Sequence, residues 1–400
     1  MRKFSSVAMI SITTCLAACG GGGGASAAGS GSPVAVAPSP TPAPAPAPAP
    51  TPQPAAPKCP AGQTETTAPT WNGSAWVGQV CAPTPVVASA GTLTTTVAAA
   101  TYADNSLHQS AFNALNLVRK NAGAGLVSQN AALDTSAGAH AKYLTTNIAT
   151  AFTVNAHTED PSKPGFFEAT VGLRMAKAGF SAGGYWSEVI GGTGASRQGS
   201  DCVLGLLGTV YHAAALLNQS TNIGIGFGTD TANIPMCVAD LGAKSTESYP
   251  QVAPSGQIVA YPYDGQTGLF YSFDIAFEVP RPPVALFPNA TSGTPVIVNI
   301  RNADFVNYKA AGTLTPVVTK FEIKDAGGNL VPVGILANSG ITGSGVSMTA
   351  DANLSEGFAV LVPLSPLAKG GTYTVTFTAT LKTGGDPLTK TWRFVADRDR

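Results

Sequence analysis

The chain has 400 residues and only four histidines. Two of these flank a carboxylate. His157 sits in the polar, proline-ended stretch Ala156-His157-Thr158-Glu159-Asp160-Pro161, and His212 in Val210-Tyr211-His212-Ala213. Glu188 lies between them, in Trp186-Ser187-Glu188-Val189-Ile190-Gly191-Gly192. Two imidazoles and a carboxylate are a sufficient set for zinc or another divalent metal, and equally a general acid/base set. Spacing alone does not separate those chemistries from three structural hydrogen-bonders. The other two histidines read as structural: His108 as an exposed or capping residue near a helix start, His140 as a hydrogen-bonded core residue on an apolar stripe. Neither H-E-x-x-H nor G-x-S-x-G occurs, so no independent motif supports an enzyme.

The elements that must carry these residues are legible in the periodicity. Leu107, Ala111, Ala114, Leu115 and Val118 recur at three and four, with Asn105 or Ser106 as N-cap. Leu133, Ala137, His140, Ala141 and Leu144 do the same, and Gly123-Ala124-Gly125 separates the two helices. From Ile223 the period becomes two, with Ile223, Ile225 and Phe227 alternating with glycines, and Met236 to Ala239 forms a second strand. Helices followed by a hairpin predict an α+β domain.

The order of these segments resembles the CAP superfamily, named for cysteine-rich secretory proteins, antigen 5 and plant pathogenesis-related proteins. The resemblance spans roughly Asp104–Ala243. Ala111 to Arg119 looks like the family's first helix, and Asn130 to Leu144 like its "L-x-x-x-A-x-x-H-A" helix. His157 to Pro161 is similar to the loop with the first cleft histidine, and Ala176-Lys177-Ala178-Gly179-Phe180 to the "K-A-A-G-Y" of bacterial members. Glu188 stands where the family's Gly-Glu-Asn has its glutamate, though here the triplet is Ser187-Glu188-Val189. Tyr211-His212 with Leu216-Leu217 resembles "G-H-R-x-x-I-L", the second cleft histidine, and Ile223 to Phe227 the closing "I-G-V-G" strand. The resemblance implies an α-β-α sandwich with a cleft lined by His157, Glu188 and His212. The family's second glutamate has no clear counterpart; Asp201 is poorly placed, and Glu159 and Glu168 are possible substitutes.

The N-terminus reads as an export signal. Arg2 and Lys3 precede an apolar run, Val7 to Ala18, too short to span a bilayer as a mature helix. Leu16-Ala17-Ala18-Cys19 resembles the lipobox of bacterial lipoproteins, in which the cysteine is acylated and becomes the first residue. Acyl chains contribute about 0.8 kcal/mol per buried methylene, so multiple acylation anchors permanently. Gly20 after the cysteine resembles an outer-membrane address. Pro33 to Pro57 alternates proline with Ala and Thr, a disordered stalk of polyproline II bias. Beyond Cys15 and Cys19 the cysteines are Cys59, Cys81, Cys202 and Cys237. In an exported chain these imply disulfides, and of three connectivities the local one, Cys59–Cys81 with Cys202–Cys237, is expected.

The chain therefore divides into a signal peptide (1–18), a lipidated linker (19–57), a small disulfide hairpin around Trp71-Asn72-Gly73 and Trp76 (58–83), a linker (84–103), the CAP-like domain with its C-terminal joint (104–285) and an all-β immunoglobulin-like sandwich (286–400). In the last, Leu367 to Val375 resembles the bacterial "L-x-P-G-T-x-Y-x-V" corner, with Tyr373 as its tyrosine. Net charge is zero, which removes the electrostatic case for nucleic acid. Two functions stay open. One is a surface binding module for a lipid, glycan or protein ligand, which the tether and stalk favour. The other is a metal-assisted hydrolase using His157, Glu188 and His212.

Overall fold

The computed structural model describes residues 54–60, 63–83, 91–151, 155–230, 233–246 and 251–399. The signal peptide, Cys19 and all but the end of the stalk lie outside the described residues.

A small hairpin unit comes first. Strand β1 (Gln63–Thr67) pairs with β4 (Val80–Pro83) around the inner pair β2 (Thr70–Trp71) and β3 (Trp76–Val77). Asn72 shapes the turn by accepting the amides of Ser74 and Ala75 at its side-chain oxygen. Trp71 and Trp76 lie opposite each other with rings edge to face at 5.5 Å, and the Cys59–Cys81 disulfide closes the unit. The tryptophans thus cover each other, the packing expected of a hairpin too small to hold a core.

The α/β unit is built on one mixed sheet. Helix α1 spans Leu107–Ala122, β5 Ser128–Gln129, α2 Ala131–Thr146 and α3 Ile148–Ala151. Then come α4 (Val171–Lys177), β6 (Ala182–Gly192), α5 (Gly199–Leu207), α6 (Tyr211–Leu216), β7 (Asn222–Thr229) and β8 (Pro235–Lys244). The strand order is β5-β7-β8-β6, which leaves β6 at an edge. Ser106 caps α1 through the Gln109 amide, and Gly123 ends it in the left-handed region at φ 83°. The alternating glycines of β7 set the depth of the layer below. A Cβ on Gly224, Gly226 or Gly228 would fall 2.0, 2.3 or 2.5 Å from the backbone of α2, at Leu133, Ala137 and Ala141 respectively. Only glycine lets the helix backbone lie directly on the strand. The opposite face, Ile223 and Ile225, packs on Phe112, Leu115 and Val118 of α1. Helices therefore cover both faces of the sheet. Cys202 of α5 is bonded to Cys237 of β8, as the local pairing predicts.

Arg119 is a charged group inside this layer. It is fully buried, and its guanidinium donates to the carbonyls of Gly125, Leu216, Ala124, Asn218 and Ser220. Burial pushes its pKa down to about 9, and the five acceptors replace the lost water.

The C-terminal unit is two facing sheets. Its strands are β9 (Val259–Tyr261), the short pair β10 (Phe273–Asp274) and β11 (Thr291–Ser292), β12 (Val296–Asn299), β13 (Val317–Lys324), β14 (Val333–Ala337), β15 (Thr342–Gly343), β16 (Thr349–Ala350), β17 (Phe358–Pro363), β18 (Gly371–Thr380) and β19 (Pro387–Ala396). One sheet runs β16-β14-β17-β12-β9 and the other β15-β13-β18-β19, with helix α7 (Ala303–Ala310) after β12. Two features depart from the expected antiparallel immunoglobulin-like plan. The β13–β15 and β14–β16 pairs are parallel, and β9 enters the sheet from well before residue 286. The joint after β9 is no free linker either: Gly265 donates to Arg393, Val395 to Gln266 and Arg398 to Leu269, which lashes the C-terminal strand to it. Tyr373 is buried and its hydroxyl accepts the Ala368 amide at 2.7 Å. Residues 91–101 are likewise not free, since Thr92 donates to Val252 and Thr101 to the Gln129 side chain.

Candidate functional site

The open edge of β6 is where the singled-out residues gather. Glu188 is on β6, and its side chain is only 1% exposed. His157, from the loop after α3, donates or accepts through Nδ1 at 2.8 Å from Glu188 Oε1. Arg174 of α4 donates to the other oxygen, Oε2, at 2.7 Å, and both its terminal nitrogens donate to the His157 carbonyl at 3.2 Å. One buried guanidinium thus holds both the ring's backbone and the ring's partner. His157 remains 29% exposed, and its Nε2 has no partner among the described residues.

Behind this pair lies a second layer that is closed to solvent. His140 bridges Glu159 Oε1 and the Ala156 carbonyl, each at 2.8 Å. Its place as a satisfied core residue agrees with its position on the apolar stripe, but its partner was not legible: Glu159 points inward from the loop that carries His157. Asp240 of β8 faces Glu188 across the ladder and Ser136 of α2 below it. Neither of its oxygens makes a hydrogen bond of ordinary geometry. Burial, and then the charge of Glu188, push the Asp240 carboxyl well above its ordinary range. Burial also works to raise Glu188. Its bond with His157 and the charges of His140 and Arg174 outweigh that, and keep it below the usual carboxylate value. The fold thus shifts the two carboxyls of this cross-strand pair in opposite directions.

His212 stands on the far side of the cleft, at the start of α6. Its Nδ1 lies 3.0 Å from Thr209 Oγ1 and 3.5 Å from Glu278 Oε1. Glu278 is buried and comes from the C-terminal unit, between β10 and β11. It accepts the amides of Val210 at 2.9 Å and Tyr211 at 2.5 Å, which satisfies the N-terminal turn of α6. The acidic residue beside the second histidine is Glu278, which the sequence reading did not single out. Asp201 pairs instead with Arg398, and Glu168 with Lys177. No motif marks Glu278 in the sequence. Arg174 did leave a signal, because Val171, Arg174 and Met175 are spaced as one buried helix face.

His157, Glu188 and His212 line one cleft of about 230 Å³, together with Trp186, Tyr211 and Asn218. Val279, Pro280, Asn353 and Ser355 of the second unit form its far wall, and Tyr211 is tied to that unit by a 2.6 Å bond to Asp351. Trp186 is 45% exposed on the rim and lies against Gly172. The metal set expected from His157, Glu188 and His212 is not assembled. Both Glu188 oxygens are taken, a guanidinium sits beside them, and no group of three or more His, Cys, Asp or Glu among the described residues is arranged to hold a metal. His108, expected to be exposed or capping, is half-buried between the rings of Tyr102 and Phe227, at 5.5 and 5.0 Å. No helix among the described residues is long and apolar enough to cross a membrane.

No protein-family model and no curated protein matches the chain. Among solved structures, an outer surface protein from Borrelia burgdorferi is similar at 20% identity and a TM-score of 0.25, over 33% of this chain and 89% of that one. At that TM-score the likeness carries neither fold nor function. What stands is a mixed α+β chain with two disulfides, the chemistry of an exported protein.

Proposed function

We propose that the chain is a lipid-anchored protein of the bacterial outer membrane whose CAP-like unit captures a lipid, glycan or protein ligand at the cell surface. The observation that carries this reading is the cleft. Two histidines, each backed by a buried carboxylate, face one groove closed on its far side by the second unit. The Tyr373–Ala368 bond supports reading that second unit as an immunoglobulin-like spacer, since this is the geometry of a tyrosine corner. Capture is favoured over turnover because the one hydroxyl bonded to His212 is committed elsewhere. Thr209 gives its hydroxyl proton to the Leu206 carbonyl, so it accepts from His212 instead of being activated by it. Against zinc or another divalent metal, and so against metal-assisted hydrolysis, stand the two occupied oxygens of Glu188 and the Arg174 guanidinium beside them.

The His157–Glu188 bond favours a second reading, hydrolysis with His157 as general base through Nε2. The test uses the full chain against arrays of envelope lipids, glycans and proteins. Trp186→Ala and His212→Ala should each weaken capture at least tenfold with melting unchanged. Capture indifferent to both changes refutes the cleft, and turnover abolished by His157→Ala favours the second reading. The anchor is tested separately: labelled palmitate should enter the wild type and not Cys19→Ala.

A further inference from the structure

The cleft just described is one end of a longer groove. Residues 185–189 of β6 line it, and the next stretch, 190–194, lines a second cavity of about 430 Å³. His212 lines both, so the two cavities meet at this side chain and together follow the edge of β6 from Tyr185 to Gly192. Thr193 donates to the Pro235 carbonyl of the neighbouring strand. In an antiparallel ladder every second residue does so, and those between turn their N–H and C=O outward. By that alternation Trp186, Glu188, Ile190 and Gly192 aim their backbone groups into the groove, where no hydrogen bond to them is found among the described residues.

We propose that this groove binds an extended, proline-poor peptide that adds to β6 as a fifth strand of the sheet. The proposal rests on the reading of the cleft as a capture site and names the ligand class. An unpaired ladder offers donors and acceptors in strict alternation along about 20 Å, the six steps from Trp186 to Gly192 at ~3.3 Å per residue. Another peptide backbone matches that spacing, whereas sugar hydroxyls and lipid tails do not. The opposite wall sets the form of the occupant. Pro280, Phe270 and Arg398 stand across from the strand, with Arg398 anchored on Asp201 and over the Phe270 ring. A second copy pairing edge to edge would bring its own wall and helices into the same space. The pockets flanking His212 are lined by Leu206 and Phe270 on one side and Ala214, Ala215 and Val279 on the other, so the peptide carries apolar residues at alternate positions.

The probe is a randomised library of acetylated, amidated, proline-free octapeptides selected on the full chain. Selected peptides should lose at least tenfold in affinity when one alternating set of their amides is N-methylated, and less than about twofold when the other set is. Gly192→Pro removes an outward N–H at an exposed edge position and should abolish binding, while Gly192→Ala, whose Cβ meets nothing nearer than 4.0 Å, should retain it. Thermal melting checks that Gly192→Pro folds, and the N-methyl series decides the matter if it does not. The proposal is overturned if no peptide is selected, if binders are indifferent to N-methylation, or if folded Gly192→Pro binds as the wild type does. It is equally overturned if the chain self-associates through this edge. A glycan or lipid captured in the cleft with no peptide bound would sink this proposal and leave the capture function standing.

Discussion

Gly226→Ala is the change with the largest effect for the fewest atoms. The new Cβ would lie 2.3 Å from the Ala137 carbonyl carbon and the Gly138 nitrogen, where ordinary contact begins near 3.4 Å. Both neighbours are helix backbone, so no side chain can rotate away. Helix α2 must lift by about 1 Å, and a gap of that size forfeits a quarter to a half of each contact's dispersion energy. The residues that would lose contact are Leu133, Ala137, Ala141 and Leu144, all fully buried. Overpacking of this kind costs about 3 kcal/mol, the upper end of its usual range. At roughly 2–4 °C per kcal/mol the melting temperature should fall by about 6–12 °C. Because His140 rides on α2 and bonds Glu159 and the loop of His157, capture in the cleft should weaken as well. The assay is urea unfolding followed by tryptophan fluorescence, with Gly205→Ala as control. Gly205 lies inside α5 with nothing within 4 Å of its would-be Cβ, so alanine there should stabilise by up to about 1 kcal/mol. A Gly226→Ala protein with wild-type unfolding would refute the claim that glycine sets the helix–sheet distance.

Other changes separate the remaining interactions. Arg119→Met strips five carbonyls of their donor and should cost about 4 kcal/mol, against less than ~0.5 for the exposed Arg281→Met in the same unfolding assay. Asp240 is raised above its ordinary 3.8, so its contribution to stability is complete below that pH and is lost as pH rises toward its folded value. Asp240→Asn removes that loss, and the variant should gain on the wild type as pH rises above about 4, the two converging at acid pH; a difference that stays constant as pH rises would contradict a raised Asp240. Replacing Cys202 and Cys237 together by Ala opens a loop of 35 residues and should cost about 4 kcal/mol by chain entropy, visible as a loss of the wild type's sensitivity to reductant.

The local code of this chain was open to reading from its residues. Helix α1 starts at the Ser106 cap and stops at Gly123 because those residue types serve the orphan groups of helix ends. The period-two glycines of β7 announced a strand, and the pairing of four cysteines followed from their grouping. His157, Glu188 and His212 were singled out as one set for a metal or for acid/base work, and of these His157 and Glu188 bond each other. The rest was decided by tertiary structure. Periodicity assigns a residue to a face but not what that face meets, so the use of the β7 glycines, as the bed of α2, appears only when helix and strand are docked. Glu278 serves α6 from 67 residues away, and Arg398 reaches Asp201 across 197. Chain separation of that kind leaves no spacing to recognise. The same reason governs the cleft: three residues that would suffice for a metal on paper are instead partnered with Arg174 and Glu278, because each buried charge had to be compensated by whichever opposite group the fold brought alongside.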